Sequence, residues 1–167
     1  VPPVSKLNSE SKDGVFRIVS CSYLIPRKRV DLLMESLLLL SNQNPQVKIE
    51  WTHIGDGEQW SILNSEKANA PENCKINFLG AKSNSDVHAY YASNPVDLFV
   101  NLSTQEGTPV SIMEAISYGV PILATAVGGN KEVIDHGAGV LLSENPKADE
   151  IVSKILGLIE NKDYIAL

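Results

Sequence analysis

Apolar residues fall into short blocks separated by polar turns, and the blocks switch between two periods. Phe16, Ile18, Val19 and Cys21 form a first strand-like block. Residues 31–41 have helical composition and a wide apolar face, with Asp31 near enough to the start to help cap it. Val47–Ile54 alternates apolar and polar around Trp51, as a strand does, and Gly55-Asp56-Gly57 ends it in a tight turn. A helix through about Lys67 follows. The pattern then repeats. Ile76–Leu79 is a short strand ended by Gly80, and Ser83–Ala92 a helix whose Ser83 and Asp86 have capping-box-like spacing. Val96–Val100 is a continuous apolar run, expected of a strand buried on both faces. A helix over Pro109–Tyr118, a strand over Val120–Ala124 and a short helix over Lys131–Ile134 come next. A strand over Val140–Leu142 and a helix over residues 147–160 close the chain.

Strands alternating with helices predict an α/β class: a Rossmann-like three-layer α/β/α domain with a parallel sheet of about six strands. Residues 1–14 read as a polar lead-in or linker and 15–167 as one domain. Ligands of such sheets bind outside the carboxyl ends of the strands, where the strand order reverses. Residues 22–29, 55–58, 80–83, 101–109 and 125–132 all follow strands and are expected on that rim, where glycines, charges and hydroxyls concentrate.

Composition narrows the function. The net charge of −6 disfavours nucleic acid as a partner, and the one dense basic cluster is Arg27-Lys28-Arg29. Two cysteines, Cys21 and Cys74, are too few for a disulfide framework and read as buried free thiols in a reducing compartment. His53, His88 and His136 lack metal-ligand spacing. No apolar run has transmembrane length and no signal peptide is evident, while the initial valine suggests a piece of a longer protein.

The richest segment runs from Asn101 to Gly119. A polar loop with Gly107 leads into a helix near Pro109, a place where proline sacrifices no hydrogen bond. Free amides of Thr108, Val110 and Ser111 at that helix start suit a phosphate or sugar hydroxyls. Glu106 precedes them and Glu114 lies on the ridge shared with Val110, so both carboxylates are placed to line one ligand. The bland alternatives are a glutamate that stabilises the helix start and an ordinary helix-surface glutamate. Gly128-Gly129, after the Val120–Ala124 strand, is either a turn or a close backbone approach to a ligand. Gly55-Asp56-Gly57 does not continue into a dinucleotide fingerprint, which argues against a nicotinamide or flavin site. Arg27, Lys28 and Arg29 share the rim and suit a phosphate clamp.

Taken in order, these segments resemble the C-terminal domain of a GT-B-fold retaining glycosyltransferase of the group 1, or family 4, type. The resemblance covers Phe16 to about Leu158 and is most specific at Glu106 through Glu114, two glutamates separated by seven residues. Leu24-x-Pro26-x-Lys28, Ile54-Gly-Asp-Gly57, Phe78-Leu-Gly80, Gly119-x-Pro121 and Gly128-Gly129-x-x-Glu132 support it. It implies retaining transfer of a sugar from a UDP-, GDP- or ADP-sugar to an acceptor hydroxyl in cell-surface glycan synthesis. This chain would be the donor-binding half. It further implies Glu106 at the donor sugar, Gly107 to Ser111 near sugar and diphosphate, Lys28 at the diphosphate and Glu114 at the ribose. An absent N-terminal domain would bring a glycan or lipid-linked acceptor, so the isolated chain is expected to transfer nothing alone. Neither a cofactor nor a metal is implied. The expected setting is cytoplasmic, with a peripheral place at the inner face of the membrane left open. One departure stands out: Ser22-Tyr23-Leu24 replaces the relatives' Gly-Arg-Leu, and Arg29 replaces a frequent glycine. Either Arg27 or Arg29 supplies the missing charge, or the chain is a degenerate, non-catalytic nucleotide-sugar-binding or interaction module.

Overall fold

The computed structural model describes residues 8–134 and 137–161, so His136, the first seven residues of the lead-in and residues 162–167 lie outside it. Six strands form one parallel sheet: β1 (Val15–Cys21), β2 (Lys48–Ile54), β3 (Cys74–Phe78), β4 (Leu98–Asn101), β5 (Ile122–Thr125) and β6 (Gly139–Leu142). Their spatial order is β3-β2-β1-β4-β5-β6, which reverses direction between β1 and β4. A crevice opens at such a reversal because the loops leaving the two strands turn to opposite sides.

Six α-helices cover the faces: α1 (Val30–Gln43), α2 (Trp60–Glu66), α3 (Asn84–Ser93), α4 (Val110–Ser117), α5 (Gly129–Ile134) and α6 (Ala148–Glu160). One face packs Leu33, Leu37 and Leu40 of α1 with Ile151, Ile155 and Leu158 of α6. The other packs Val87 and Tyr91 of α3, Ile112 and Ala115 of α4 and Ile134 of α5. Each leucine buried this way stabilises the fold by about 1.5–3 kcal/mol. Coverage on both faces also corrects the expectation from the alternation in β2: Thr52 and His53 are buried alongside Trp51 and Ile54.

Local signals held in part. Ser83 caps α3, its Oγ accepting from the amide of Asp86 at 3.2 Å. Asp86 accepts the Ser83 hydroxyl at 2.7 Å, as the shorter aspartate closes the box on the side chain. Asp31, by contrast, caps nothing: α1 starts one residue earlier, at Val30, leaving Asp31 inside the first turn. There its charge faces the positive end of the helix. Residues 8–14 of the lead-in are tied to the domain, with the Asn8 amide reaching the carbonyls of Tyr91 and Asn94 at 2.6 Å each. Among the described residues no helix is long and apolar enough to cross a membrane.

Candidate functional site

The loops leaving β1 and β4 meet at the sheet's reversal point. After β1 the chain makes one 3-10 turn, Pro26–Lys28, before α1. After β4, residues 102–109 form the loop that enters α4. The two are joined by backbone, the Thr104 amide donating to the Arg27 carbonyl at 2.8 Å. They are joined again by charge, Lys28 Nζ lying 2.6 Å from Glu106 Oε1.

Glu106 is the hub of this meeting. Besides Lys28, its Oε1 accepts Ser103 Oγ at 2.6 Å and Asn101 Nδ2 at 3.1 Å. Burial pushes its pKa up, but the hydrogen bonds from Lys28, Ser103 and Asn101 outweigh burial and hold it below the ordinary carboxylate value. All three bonds fall on one oxygen. Oε2 has no hydrogen-bond partner among the described residues. Ser103 is itself fixed, since its amide donates to Asn101 Oδ1 and its carbonyl accepts Thr125 Oγ1 from β5. Asn101 and Ser103 escape the sequence reading, although an Asn-x-Ser at the end of a strand carries a local turn signal.

The three basic residues do different things. Lys28 is paired with Glu106 and mostly buried. Arg27 is exposed, and its side chain makes no hydrogen bond or ion pair among the described residues. Arg29 is a brace. Its guanidinium donates to the carbonyls of Leu102, Ser103 and Glu144 and to Asn145 Oδ1, tying α1 to the β4 and β6 loops. Its backbone is left-handed, with φ 50°, the conformation a glycine adopts freely.

The helix start differs from expectation in one detail. Pro109 is the N-cap residue of α4, and the Val110 amide is taken by the Thr108 carbonyl at 2.9 Å. The amides of Thr108 and Ser111 have no acceptor among the described residues. Gly128 and Gly129 do give a close backbone approach, but toward the Glu106 loop. A Cβ on Gly128 would lie 1.9 Å from the Glu106 carbonyl, and one on Gly129 would lie 2.1 Å from that of Gly107. These glycines seat the loop that carries Glu106.

Glu114, on α4, shares no hydrogen bond with that cluster and has 8% of its surface exposed. Asn84, the first residue of α3, donates its side-chain amide to Glu114 Oε1. Nothing local in the sequence signals this contact, which spans 30 positions and is made only by the fold. Below lies Cys21, whose thiol burial pushes up to about 11, with the Glu114 charge as the lesser cause. It is therefore a neutral thiol. Cys21 and Cys74 are both free.

The β1 loop is supported from beneath by a directional chain. The Ser22 carbonyl can only accept, which assigns the proton of the neutral His53 ring to Nε2, donating to it at 3.1 Å. Nδ1 then accepts the Ser20 hydroxyl at 2.8 Å, and Ser20 Oγ accepts Trp51 Nε1–H at 2.9 Å. Among the described residues no group of three or more His, Cys, Asp or Glu gathers as a metal site would.

Comparison with known proteins gives this rim a context. The profile of the family described as "Glycosyl transferases group 1" matches residues 5–165. The amylovoran biosynthesis glycosyltransferase AmsK of Erwinia amylovora is 26% identical over 165 residues, which are 94% of this chain and 40% of that protein. The O-antigen biosynthesis glycosyltransferase WbnH of Escherichia coli is 32% identical over 149 residues, 89% of this chain and 39% of its own. Among solved structures, Anabaena HepE in complex with UDP-glucose superposes with a TM-score of 0.72 at 27% identity, covering 90% of this chain and 41% of HepE. The chain thus spans 27% to 40% of the length of these and other curated relatives it matches.

Proposed function

The chain belongs to the group 1 glycosyl transferases, and from that membership we propose that it is the donor-binding half of a retaining sugar transferase using a nucleoside-diphosphate sugar. One observation carries the reading. At the reversal between β1 and β4 a lysine pairs with a carboxylate that has one open oxygen, and the loop carrying that carboxylate runs into α4 past two open amides, Thr108 and Ser111. In this reading the diphosphate lies between Lys28 and the amides of Thr108 and Ser111, with the exposed Arg27 in reach as a further cation. Glu106 holds donor-sugar hydroxyls through its open oxygen, and Gly107 leaves room for the sugar. Glu114 holds the ribose. Departure of the sugar develops negative charge on the diphosphate, which cations and fixed amides stabilise more than they stabilise the bound donor.

The finer assignments follow the relatives. HepE was solved with UDP-glucose, which supports a nucleoside-diphosphate sugar, with UDP, GDP and ADP as the forms to be separated. AmsK and WbnH are named for amylovoran and O-antigen biosynthesis, which supports a cell-surface glycan as product. The acceptor, a glycan or lipid-linked sugar, would be held by a second domain, since relatives are about 2.5 times as long as the matched segment. A non-catalytic reading draws on Tyr23, which stands 71% exposed where the family resemblance implies a diphosphate arginine, and on Arg29, whose donors are spent on carbonyls.

Titration of the protein with UDP, GDP and ADP tests the proposal. One nucleotide is expected to bind in clear preference to the other two. Absence of binding by all three overturns the donor-site reading and leaves the non-catalytic one.

A further inference from the structure

A carboxylate as buried as Glu114 needs partners for its charge. Among the described residues no lysine, arginine or histidine forms an ion pair with it. The single side-chain hydrogen bond it receives comes from Asn84, which belongs to a different helix. Asn84 is held in place independently, because Ser83 caps the start of α3 and Val87 and Tyr91 anchor that helix in the core. The contact also fixes which way the amide faces. Only the nitrogen end can meet a carboxylate, since turning the oxygen toward it would oppose two acceptors. Asn84 Oδ1 and Glu114 Oε2 are then two acceptor oxygens on adjoining side chains, neither with a donor among the described residues. Two neighbouring acceptors without donors suit a ligand that presents two neighbouring hydroxyls.

We infer that Asn84 is a recognition residue for the nucleotide: it holds Glu114 in place, its own Oδ1 completes the pair of acceptors for the ribose diol, and the pair makes the site discriminate ribonucleotides from 2′-deoxyribonucleotides. This rests on the reading of Glu114 as the ribose-binding carboxylate. Asn84 itself is exposed at a helix start and supports no core packing, so its removal costs the fold only the hydrogen bond to Glu114.

The test uses whichever of UDP, GDP and ADP binds best, together with its 2′-deoxy counterpart. Wild type is expected to prefer the ribo form about fivefold or more, the scale of one well-made hydrogen bond. Asn84→Ala is expected to weaken the ribo form by about that factor and the 2′-deoxy form less, so the ratio falls toward one. A single cooperative thermal transition, lowered by no more than a few degrees, shows that the variant is folded. Glu114→Gln should collapse the ratio in the same way. If Asn84→Ala keeps the wild-type ratio while Glu114→Gln loses it, this inference is wrong and the ribose reading stands. If wild type shows no preference, or Glu114→Gln retains it, the ribose reading itself fails and takes the inference with it.

Discussion

Arg29 combines a strained backbone with a fully engaged side chain. Its left-handed φ costs about 1 kcal/mol relative to glycine, which the four guanidinium hydrogen bonds offset. Arg27, two positions earlier, has no such bonds and projects from the rim. The sequence places both in one basic cluster, but the roles separate only once the carbonyls of Leu102, Ser103 and Glu144 are in place around Arg29. Arg29→Ala should lower unfolding free energy by about 1–3 kcal/mol, since it removes the bonds and keeps the strain. Arg27→Ala should change stability by less than about 0.5 kcal/mol. If Arg27 supplies the charge that Tyr23 lacks, its truncation weakens nucleoside diphosphate binding and spares the nucleoside. Urea unfolding and nucleotide titration of both variants check this, and unchanged diphosphate affinity in Arg27→Ala removes it from the site.

At the scale of elements, two loops are fitted to each other. Glycines at 128 and 129 let the chain entering α5 touch the backbone of Glu106 and Gly107. Gly129→Ala would drive a methyl into the Gly107 carbonyl at 2.1 Å and against Pro109 Cδ at 3.0 Å. The loop must shift, at a cost of about 1–3 kcal/mol, and carry Glu106 away from Lys28. Gly107→Ala is the counterpart, because a Cβ there meets nothing within 4 Å and φ is outside the left-handed range. Its stability should equal or exceed wild type by about 0.4–1 kcal/mol, while donor binding falls if that open space belongs to the sugar. Equal destabilisation by the two variants, measured in urea, would refute this division of roles. Much of the plan was legible beforehand: all six strands and all six helices lie where apolar periodicity and glycine turns place them, within about two residues for most ends. The rim positions of Lys28 and Glu106 were legible because both follow strand ends, and the place of Glu114 in α4 because of the helix period. Their partners were not. Lys28–Glu106 is 78 positions apart and Asn84–Glu114 is 30, and periodicity carries no information about contacts between elements.

The whole molecule hinges on strand order, which local pattern does not determine. Placing β1 beside both β2 and β4 buries the ends of the three strands together, and His53 lies at that junction with no exposed surface. Burial is the main reason its pKa falls from 6.5 to about 4, with the Ser22 carbonyl acting weakly in the other direction. A proton added at Nδ1 would bury a charge and take the Nδ1 acceptor away from the Ser20 hydroxyl, while the Nε2–H bond to the Ser22 carbonyl remains. Because the folded pKa lies below the unfolded one, the unfolded chain takes up the proton first as pH falls. The neutral ring's contribution is thus intact above about pH 6.5 and is lost progressively down to pH 4. The loss should be about 2 kcal/mol between pH 7 and pH 5, and about 3 kcal/mol by pH 4. The Glu106 and Glu50 carboxylates, both held below their ordinary value, add their own losses only below about pH 4.5. Urea unfolding at pH 7, 6 and 5 isolates the histidine. His53→Gln should be less stable than wild type at pH 7 yet lose little between pH 7 and pH 5, so the two proteins converge as the pH falls. Parallel curves across that interval would show that a different group governs acid unfolding.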